Sequence, residues 1–151
     1  MEKRPLVPEL YCSNVAESRA FYTEVLGFCV LYEREEDHFA YLEREGAQLM
    51  IEELSDGPRT WVTAPLERPY GRGMNLQIWT QDADALYERV QAHQAVIFLP
   101  MEEKWYRRHD VFVGNRQFIV QDPDGYMLRF AQDLGMRAES SWAATARLLG
   151  Q

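Results

Sequence analysis

The sequence has few cysteines and no long hydrophobic run. Its 151 residues include only Cys12 and Cys29, each among apolar neighbours and not in a CxxC pair. This pattern favours reduced, packed thiols over a disulfide or a zinc site. No apolar run approaches the roughly 18 residues that span a bilayer, and the opening MEKRPLVPEL lacks the apolar core of a signal peptide. We therefore expect a cytoplasmic protein.

Positive charge is also scarce. The chain carries 16 Lys and Arg against 24 Asp and Glu, a formal net charge of -8. Such a field repels nucleic acid and anionic lipid, so we expect neither a nucleic-acid partner nor a membrane partner. A cationic ligand would be attracted, although negative charge also serves solubility. The length is sufficient for one domain with a full hydrophobic core.

The same order of predicted elements occurs twice along the chain. The first set is a strand in PLVPELYC, a helix in SNVAESRAFYTEVLGF, and strands in CVLYERE, HFAYLERE and AQLMIEE. The second set is a strand in NLQIWT, a helix in DADALYERVQAHQ, and strands in AVIFLP, RQFIVQ and YMLRFA. Ser13 or Asn14 can cap the first helix, Gly27 can end it, and Asp82 can cap the second. This order predicts an α+β fold built from two βαβββ modules.

The repeat also predicts the domain organisation. We expect one domain over residues 1–133, with modules at about 6–53 and 75–132 joined by the Pro- and Gly-rich segment 54–74. Residues 101–115, MEEKWYRRHDVFVGN, are expected to form a long irregular connection. Residues 134–151 are expected to form a tail with a short helix, which could pack on its own domain or on a partner subunit, or could cover the ligand as a lid.

The residues that carry the repeat resemble those of a known superfamily. The segment SNVAESRAFYTEVLGF, the restart at QDADALYERV and the turn DPDGYMLRF follow the order and spacing of the vicinal oxygen chelate superfamily. That superfamily includes glyoxalase I, extradiol dioxygenases, fosfomycin resistance proteins and bleomycin resistance proteins, and the resemblance covers about residues 6–132. It implies a fold in which each module contributes a curled sheet. Two modules then enclose a cup, usually across a homodimer.

The positions that bind metal in other members carry poor ligands in this chain. Metal-dependent members place His or Glu on the first and last strand of each module, and these positions fall on Val7, Met50, Asn75 and Arg129. Val7 offers no donor atom, Met50 offers a soft thioether, and Arg129 carries a permanent positive charge. The three histidines, His38, His93 and His109, are expected at the surface. We therefore predict no metal and no other cofactor.

Two segments indicate a particular group within the superfamily. DPDGYMLRFAQ and FAYLEREGAQLMIEE resemble the metal-free bleomycin resistance proteins, which bind and sequester a drug without transforming it. The resemblance implies a homodimeric binding protein with no catalytic residue and a cationic heteroaromatic ligand in a dimer cleft. An alternative is an enzyme of glyoxalase, isomerase or dioxygenase type that uses Glu9 and Glu52 as acid and base. A protein-interaction module, with the cup filled by a partner's side chains, is a third hypothesis.

Strand alternation predicts which side chains face the cup. The expected binding residues on the first and last strands are Glu9, Tyr11, Met50, Glu52, Asn75, Gln77, Trp79 and Arg129. The residues of opposite parity are expected in the core: Leu10, Cys12, Leu49, Ile51, Leu76, Ile78, Leu128 and Phe130.

Three large aromatic residues fall in the predicted irregular segments. Trp61, Trp105 and Tyr106 could stack on a flat ligand, or could serve as core or dimer contacts. Arg129 has a second interpretation as well, because it could pair with Glu9 or Glu52 and fill the cup.

Overall fold

The computed structural model describes residues 1–138 and contains two βαβββ modules, as the repeat predicts. The first module consists of β1 (Glu9–Cys12), α1 (Val15–Ala20) continued by a π-helical turn (Phe21–Val25), β2 (Cys29–Arg34), a 3-10 turn (Glu35–Asp37), β3 (Phe39–Arg44) and β4 (Ala47–Glu53). The second consists of β5 (Asn75–Trp79), α2 (Ala83–Ala92), β6 (Val96–Arg108), β7 (Val111–Gln121) and β8 (Met127–Ala138).

Each module folds into a four-stranded mixed sheet, and the two sheets have the same strand order. The orders are β1-β4-β3-β2 and β5-β8-β7-β6. The first strand of each module pairs parallel to the last, whereas the other pairs are antiparallel. The helix between the first two strands supplies the crossover connection that a parallel pair requires. The α+β fold class predicted from the repeat is therefore confirmed.

Local capping chemistry sets the start of both helices. The Asn14 side chain accepts a hydrogen bond from the backbone N–H of Glu17 at 2.9 Å, so Asn14 rather than Ser13 is the N-cap of α1. Asp82 caps α2 by accepting from the backbone N–H of Ala85 at 3.0 Å. Gly27 follows the first helical segment at φ +79°, a conformation that glycine adopts without strain.

One face of each sheet packs under the helices and forms a single core shared by both modules. Seven of the eight residues assigned to this face by strand alternation are buried, and Leu76 is half-buried and packs against the cluster. Tyr22, Leu86 and Val90 contribute from the helical segments. Both cysteines are free, but only Cys12 is packed, because Cys29 at the start of β2 is exposed.

The second hairpin is much longer than the sequence predicts. The segment 101–115 is not irregular: β6 continues past Pro100 to Arg108 and pairs with β7 throughout. Pro100 is tolerated because β6 is an edge strand and the pairing is irregular between Leu99 and Glu102. β8 likewise runs to Ala138, so residues 134–138 of the expected tail are strand. The helix predicted near the C-terminus lies outside the described residues.

The DPDG turn between β7 and β8 attaches the second module to the first. The buried Asp124 carboxylate accepts hydrogen bonds from the Ser13 backbone N–H at 2.9 Å and the Ser13 hydroxyl at 2.6 Å. It also forms an ion pair with Arg68 at 2.9 Å. Two residues earlier, Asp122 accepts from the Tyr22 hydroxyl at 2.8 Å. Within residues 1–138, no helix is long and apolar enough to cross a membrane.

Candidate functional site: two half-cups

The face of each sheet opposite the core borders a cavity. The first cavity, which we call the N-terminal half-cup, has a volume of about 540 Å³ and is bordered by β1 to β4 and the following segment. Glu9, Met50 and Glu52 line it from the sheet, and Trp61 lines it from the segment after β4. These are four of the residues that the sequence analysis assigns to ligand binding.

Glu9 and Glu52 lie close together in the N-terminal half-cup. Glu9 is paired in register with Met50, so Glu52 occupies the diagonal position on the neighbouring strand and faces the same side. Partial burial and the adjacent Glu52 carboxyl raise the pKa of Glu9 to about 7, although the positive charge of Arg34 opposes the shift. Within residues 1–138, neither carboxylate forms an ion pair. Near neutral pH the pair shares a proton, and its remaining negative charge is not neutralised by an ion pair within residues 1–138.

Tyr32 of β2 and Phe39 of β3 form a wall of the same cavity, and the buried Tyr41 packs against Tyr32 without lining it. The rings of Tyr32 and Tyr41 stack with centroids 5.2 Å apart, and Phe39 lies 5.9 Å from Tyr32. Arg34 lies over the Phe39 ring at 3.9 Å and pairs with Asp37 at 2.6 Å. These residues are absent from the predicted site, which was drawn only from the first and last strands and the irregular segments. Alternation within CVLYERE and HFAYLERE would have identified them.

Tyr11 supports the rim of the N-terminal half-cup but is not among the residues that border its cavity. It is buried, and its hydroxyl accepts a hydrogen bond from the backbone N–H of Trp61 at 3.0 Å. The same hydroxyl donates to the carbonyl oxygen of Arg59 at 3.4 Å. The Trp61 side chain remains 66% exposed beneath the Arg59 guanidinium. Tyr11 thus holds in place the segment that presents Trp61.

The second cavity, the C-terminal half-cup, has a volume of about 490 Å³. Its lining residues come from all four strands of the second sheet: Gln77, Trp79, Tyr106, Arg108, Val113, Asn115, Arg129 and Asp133. Four of these, namely Gln77, Trp79, Tyr106 and Arg129, are predicted site residues. Arg108, Asn115 and Asp133 were missed because the long β6–β7 hairpin and the end of β8 were not recognised as strand.

Arg129 has no charged partner among residues 1–138. Its Nε atom is buried and makes no hydrogen bond, and Arg129 forms no ion pair within residues 1–138. Glu9 and Glu52 line the other cavity, and the two half-cups share no lining residue. The expectation that Arg129 could pair with Glu9 or Glu52 therefore does not hold inside one described chain.

Besides Tyr11, two predicted site residues line neither half-cup. Asn75, at the exposed start of β5, borders a separate groove beside the N-terminal residues Arg4 to Leu6. Trp105 does not lie in a loop. It lies on β6 opposite Gly114, where its ring packs against the glycine, with the Arg137 guanidinium 4.0 Å away. The side chains of Trp105 and Tyr106 point to opposite faces because they are consecutive residues of one strand.

The residues at the superfamily's metal positions do not fit a divalent cation. Val7 has no donor, Met50 provides a thioether, and Arg129 would repel the ion. Within the described part of the chain, no three His, Cys, Asp or Glu side chains are grouped so that they could hold a metal ion.

These features define a class of protein with two βαβββ modules, each presenting a polar, aromatic-lined half-cup. The chain belongs to the glyoxalase/bleomycin resistance protein/dioxygenase superfamily, whose family model matches residues 6–130. The resemblance identified from the sequence is therefore confirmed at this level.

Solved structures with the same fold come from several bacteria. TioX from Micromonospora sp. ML1 is 24% identical, with a TM-score of 0.65, over 87% of this chain and 100% of that chain. A protein of unknown function from Agrobacterium tumefaciens str. C58 is 25% identical, with a TM-score of 0.65, over 89% of this chain and 97% of that chain. A glyoxalase/bleomycin resistance protein from Streptomyces sp. CB03234 is 23% identical, with a TM-score of 0.61, over 83% of this chain and 97% of that chain. No curated protein matches the chain.

Proposed function

We propose that the chain is a cytoplasmic, metal-independent binding protein that acts as a homodimer. Its role would be to sequester a cationic heteroaromatic small molecule, such as an antibiotic of the bleomycin type. The observation that carries this proposal is the pair Glu9 and Glu52, which face one cavity without an ion pair in residues 1–138. Half-buried carboxylates that have only each other and no basic partner are costly to ionise, and a ligand cation would offset that cost.

The aromatic residues of the N-terminal half-cup support a flat ligand. Tyr32 and Phe39 lie beside the carboxylates, and Trp61 is exposed at the rim. Aromatic stacking contributes about 0.5–1.5 kcal/mol per pair beyond area burial, and a cation over such a ring is attracted by its negative face. A heteroaromatic ligand with a basic group would satisfy both features of the cavity.

The separation of the two half-cups supports a homodimer. The first module and the segment after it border one cavity, and the second module borders the other, so within residues 1–138 neither module covers the cavity of the other. In a two-fold dimer the N-terminal half-cup of one subunit would face the C-terminal half-cup of its partner. Glu9 and Glu52 would then share one ligand site with the partner's Arg129. Size-exclusion chromatography with light scattering should give twice the chain mass; a monomer would contradict this part of the proposal.

Calorimetric titration with metal-free bleomycin tests the ligand class. Removing one carboxylate charge by Glu52→Gln should weaken binding about tenfold, which corresponds to about 1.4 kcal/mol. Glu17→Gln is a matched control, because Glu17 lies on the exposed side of α1. No heat at micromolar protein would exclude bleomycin, and unchanged affinity of the Glu52→Gln protein would exclude the carboxylate pair as the cation site.

A second candidate function is an enzyme that uses Glu9 and Glu52 as acid and base. The raised pKa of Glu9, about 7, favours it, because an acid–base group is most effective when its pKa lies near the working pH. Elemental analysis of the purified protein separates the two hypotheses. Stoichiometric zinc, nickel, manganese or iron would favour the enzyme, since metal-dependent members of the superfamily are enzymes.

A further inference from the structure

Among residues 1–138, one buried donor at the C-terminal half-cup and one buried acceptor beneath it have no hydrogen-bond partner. Besides the buried Arg129 Nε donor, the Oε1 acceptor of Gln117 has no hydrogen-bond partner, although Gln117 is only 2% exposed. Gln117 lies on β7 two residues after Asn115, which lines the cavity, so both side chains are on that face of the sheet. Its neighbour on β8 is Ala131, two residues from Arg129.

These groups indicate an incomplete polar site. Buried polar groups in folded proteins are nearly always hydrogen-bonded, and a free donor and a free acceptor next to one cavity imply a further occupant. The Gln117 side chain is otherwise held in place, because its Nε2 donates to the Tyr106 hydroxyl at 2.6 Å and to Glu102 at 2.9 Å. The polar surface beneath the cavity is therefore ordered before any ligand arrives.

The charge of the C-terminal half-cup is opposite to that of the N-terminal one. Arg129 and Arg108 line it against one carboxylate, Asp133, which accepts a hydrogen bond from the Gly135 backbone N–H at 2.8 Å. The guanidinium of Arg129 has free donors in a planar fork, an arrangement that matches a carboxylate. The indole of Trp79, 53% exposed at the same cavity, provides a surface for an adjoining ring.

We propose that the C-terminal half-cup binds a carboxylate attached to an aromatic ring through Arg129, so that the complete ligand carries both a basic group and a carboxylate. This inference rests on the proposed binding function, because a dimer would place the two half-cups around one ligand. The ligand must then carry a negatively charged group for Arg129 in addition to the positively charged group for Glu9 and Glu52. The alternative occupant of the same guanidinium is the partner's Glu9 or Glu52.

Matched aromatic probes test the inference without the natural ligand. We would titrate the whole protein calorimetrically with 2-naphthoate and with 2-naphthamide, which differ mainly in charge. The carboxylate should bind at least about tenfold more tightly than the amide. Arg129→Gln should abolish this preference, and Arg129→Lys should restore part of it. Arg116→Gln should leave it unchanged, because Arg116 pairs with Asp84 of α2, away from the cavity.

Three outcomes would overturn the inference. Equal binding of the carboxylate and the amide would show that the Arg129 guanidinium does not select for negative charge. A preference for the carboxylate that persists in the Arg129→Gln protein would show that another residue causes the preference. Absence of carboxylate binding would also overturn the inference, and would favour a carboxylate of the partner subunit as the occupant of Arg129. Each of these results leaves the bleomycin titration and its Glu52→Gln variant unaffected, so failure of this inference is distinguishable from failure of the proposed function.

Discussion

The carboxyl group of Glu9 illustrates how one position can serve binding at a cost in stability. Burial and the adjacent Glu52 raise its pKa from 4.5 to about 7, so in the folded protein it retains a proton that the unfolded chain releases. The folded state therefore binds more protons than the unfolded state between these two values. The stabilisation from this group is complete below about pH 4.5 and is lost as the pH rises through 7.

A pH series of urea unfolding tests this residue. Between about pH 5 and pH 8, the wild-type protein should lose roughly 1 kcal/mol more stability than Glu9→Gln, which is less than the full pKa shift implies because the carboxyl is partly exposed. Asp122, whose pKa burial raises to about 6, contributes a slope of the same sign to both proteins. Equal slopes for the two proteins would contradict the prediction, and Glu17→Gln should keep the wild-type slope.

Residue-level prediction from the sequence succeeded where alternation alone decides orientation. The eight residues assigned to the core face lie in or against the core, because successive side chains of a strand must point to opposite faces. Alternation did not reveal how far along a strand a cavity extends. Asn75 and Gln77 have the same parity, but only Gln77 lines the C-terminal half-cup.

At the scale of elements, the β6–β7 hairpin is the largest departure from the sequence-based expectation. A proline and six charged residues between positions 100 and 110 predict a loop, yet β6 continues to Arg108 and β7 begins at Val111. The ladder persists because edge strands tolerate proline and charge on their outer side. Tertiary pairing therefore overrode local propensity, as is common for strands.

The packing of Trp105 on Gly114 gives this hairpin a specific test. A Cβ at position 114 would lie 2.6 Å from the Trp105 ring, so Gly114→Ala should destabilise the protein by about 1–3 kcal/mol. Urea unfolding would measure this loss. Gly57→Ala is the control, since a Cβ there meets only the Ser55 hydroxyl at 3.4 Å. In a Trp105→Ala background the cost of Gly114→Ala should largely disappear; an undiminished cost would show that the ring is not its cause.

At the scale of the whole molecule, the DPDG turn connects parts of the chain that are far apart in sequence. Asp124 is 1% exposed and bonds to Ser13, which is 111 residues away, and to Arg68 of the connecting segment. Gly125 follows at φ +99°, and a Cβ there would lie 2.5 Å from Pro69. The turn therefore joins the second module, the first module and the segment between them.

Replacing Asp124 should destabilise the entire fold. Asp124→Ala leaves the Ser13 N–H and the Arg68 guanidinium without their acceptor, which should reduce the free energy of unfolding by about 2–3 kcal/mol. Chemical denaturation would measure the loss. Glu2→Gln removes an exposed ion pair with Arg4 and should change stability by less than about 0.5 kcal/mol. A similar effect for the two variants would show that the Asp124 contacts do not hold the modules together.

The sequence by itself determined the two modules, the order of their elements along the chain, the cap of the second helix and the two faces of each sheet. These features follow from periodicity and from side chains within a few residues of one another, so local chemistry is sufficient to predict them. The tertiary structure alone decided that Glu9 and Glu52 lie in one half-cup and Arg129 in the other. It also decided that Ser13 meets Asp124 and that Trp105 packs on Gly114. Such contacts depend on how separate strands and modules come together in space, which no local pattern specifies.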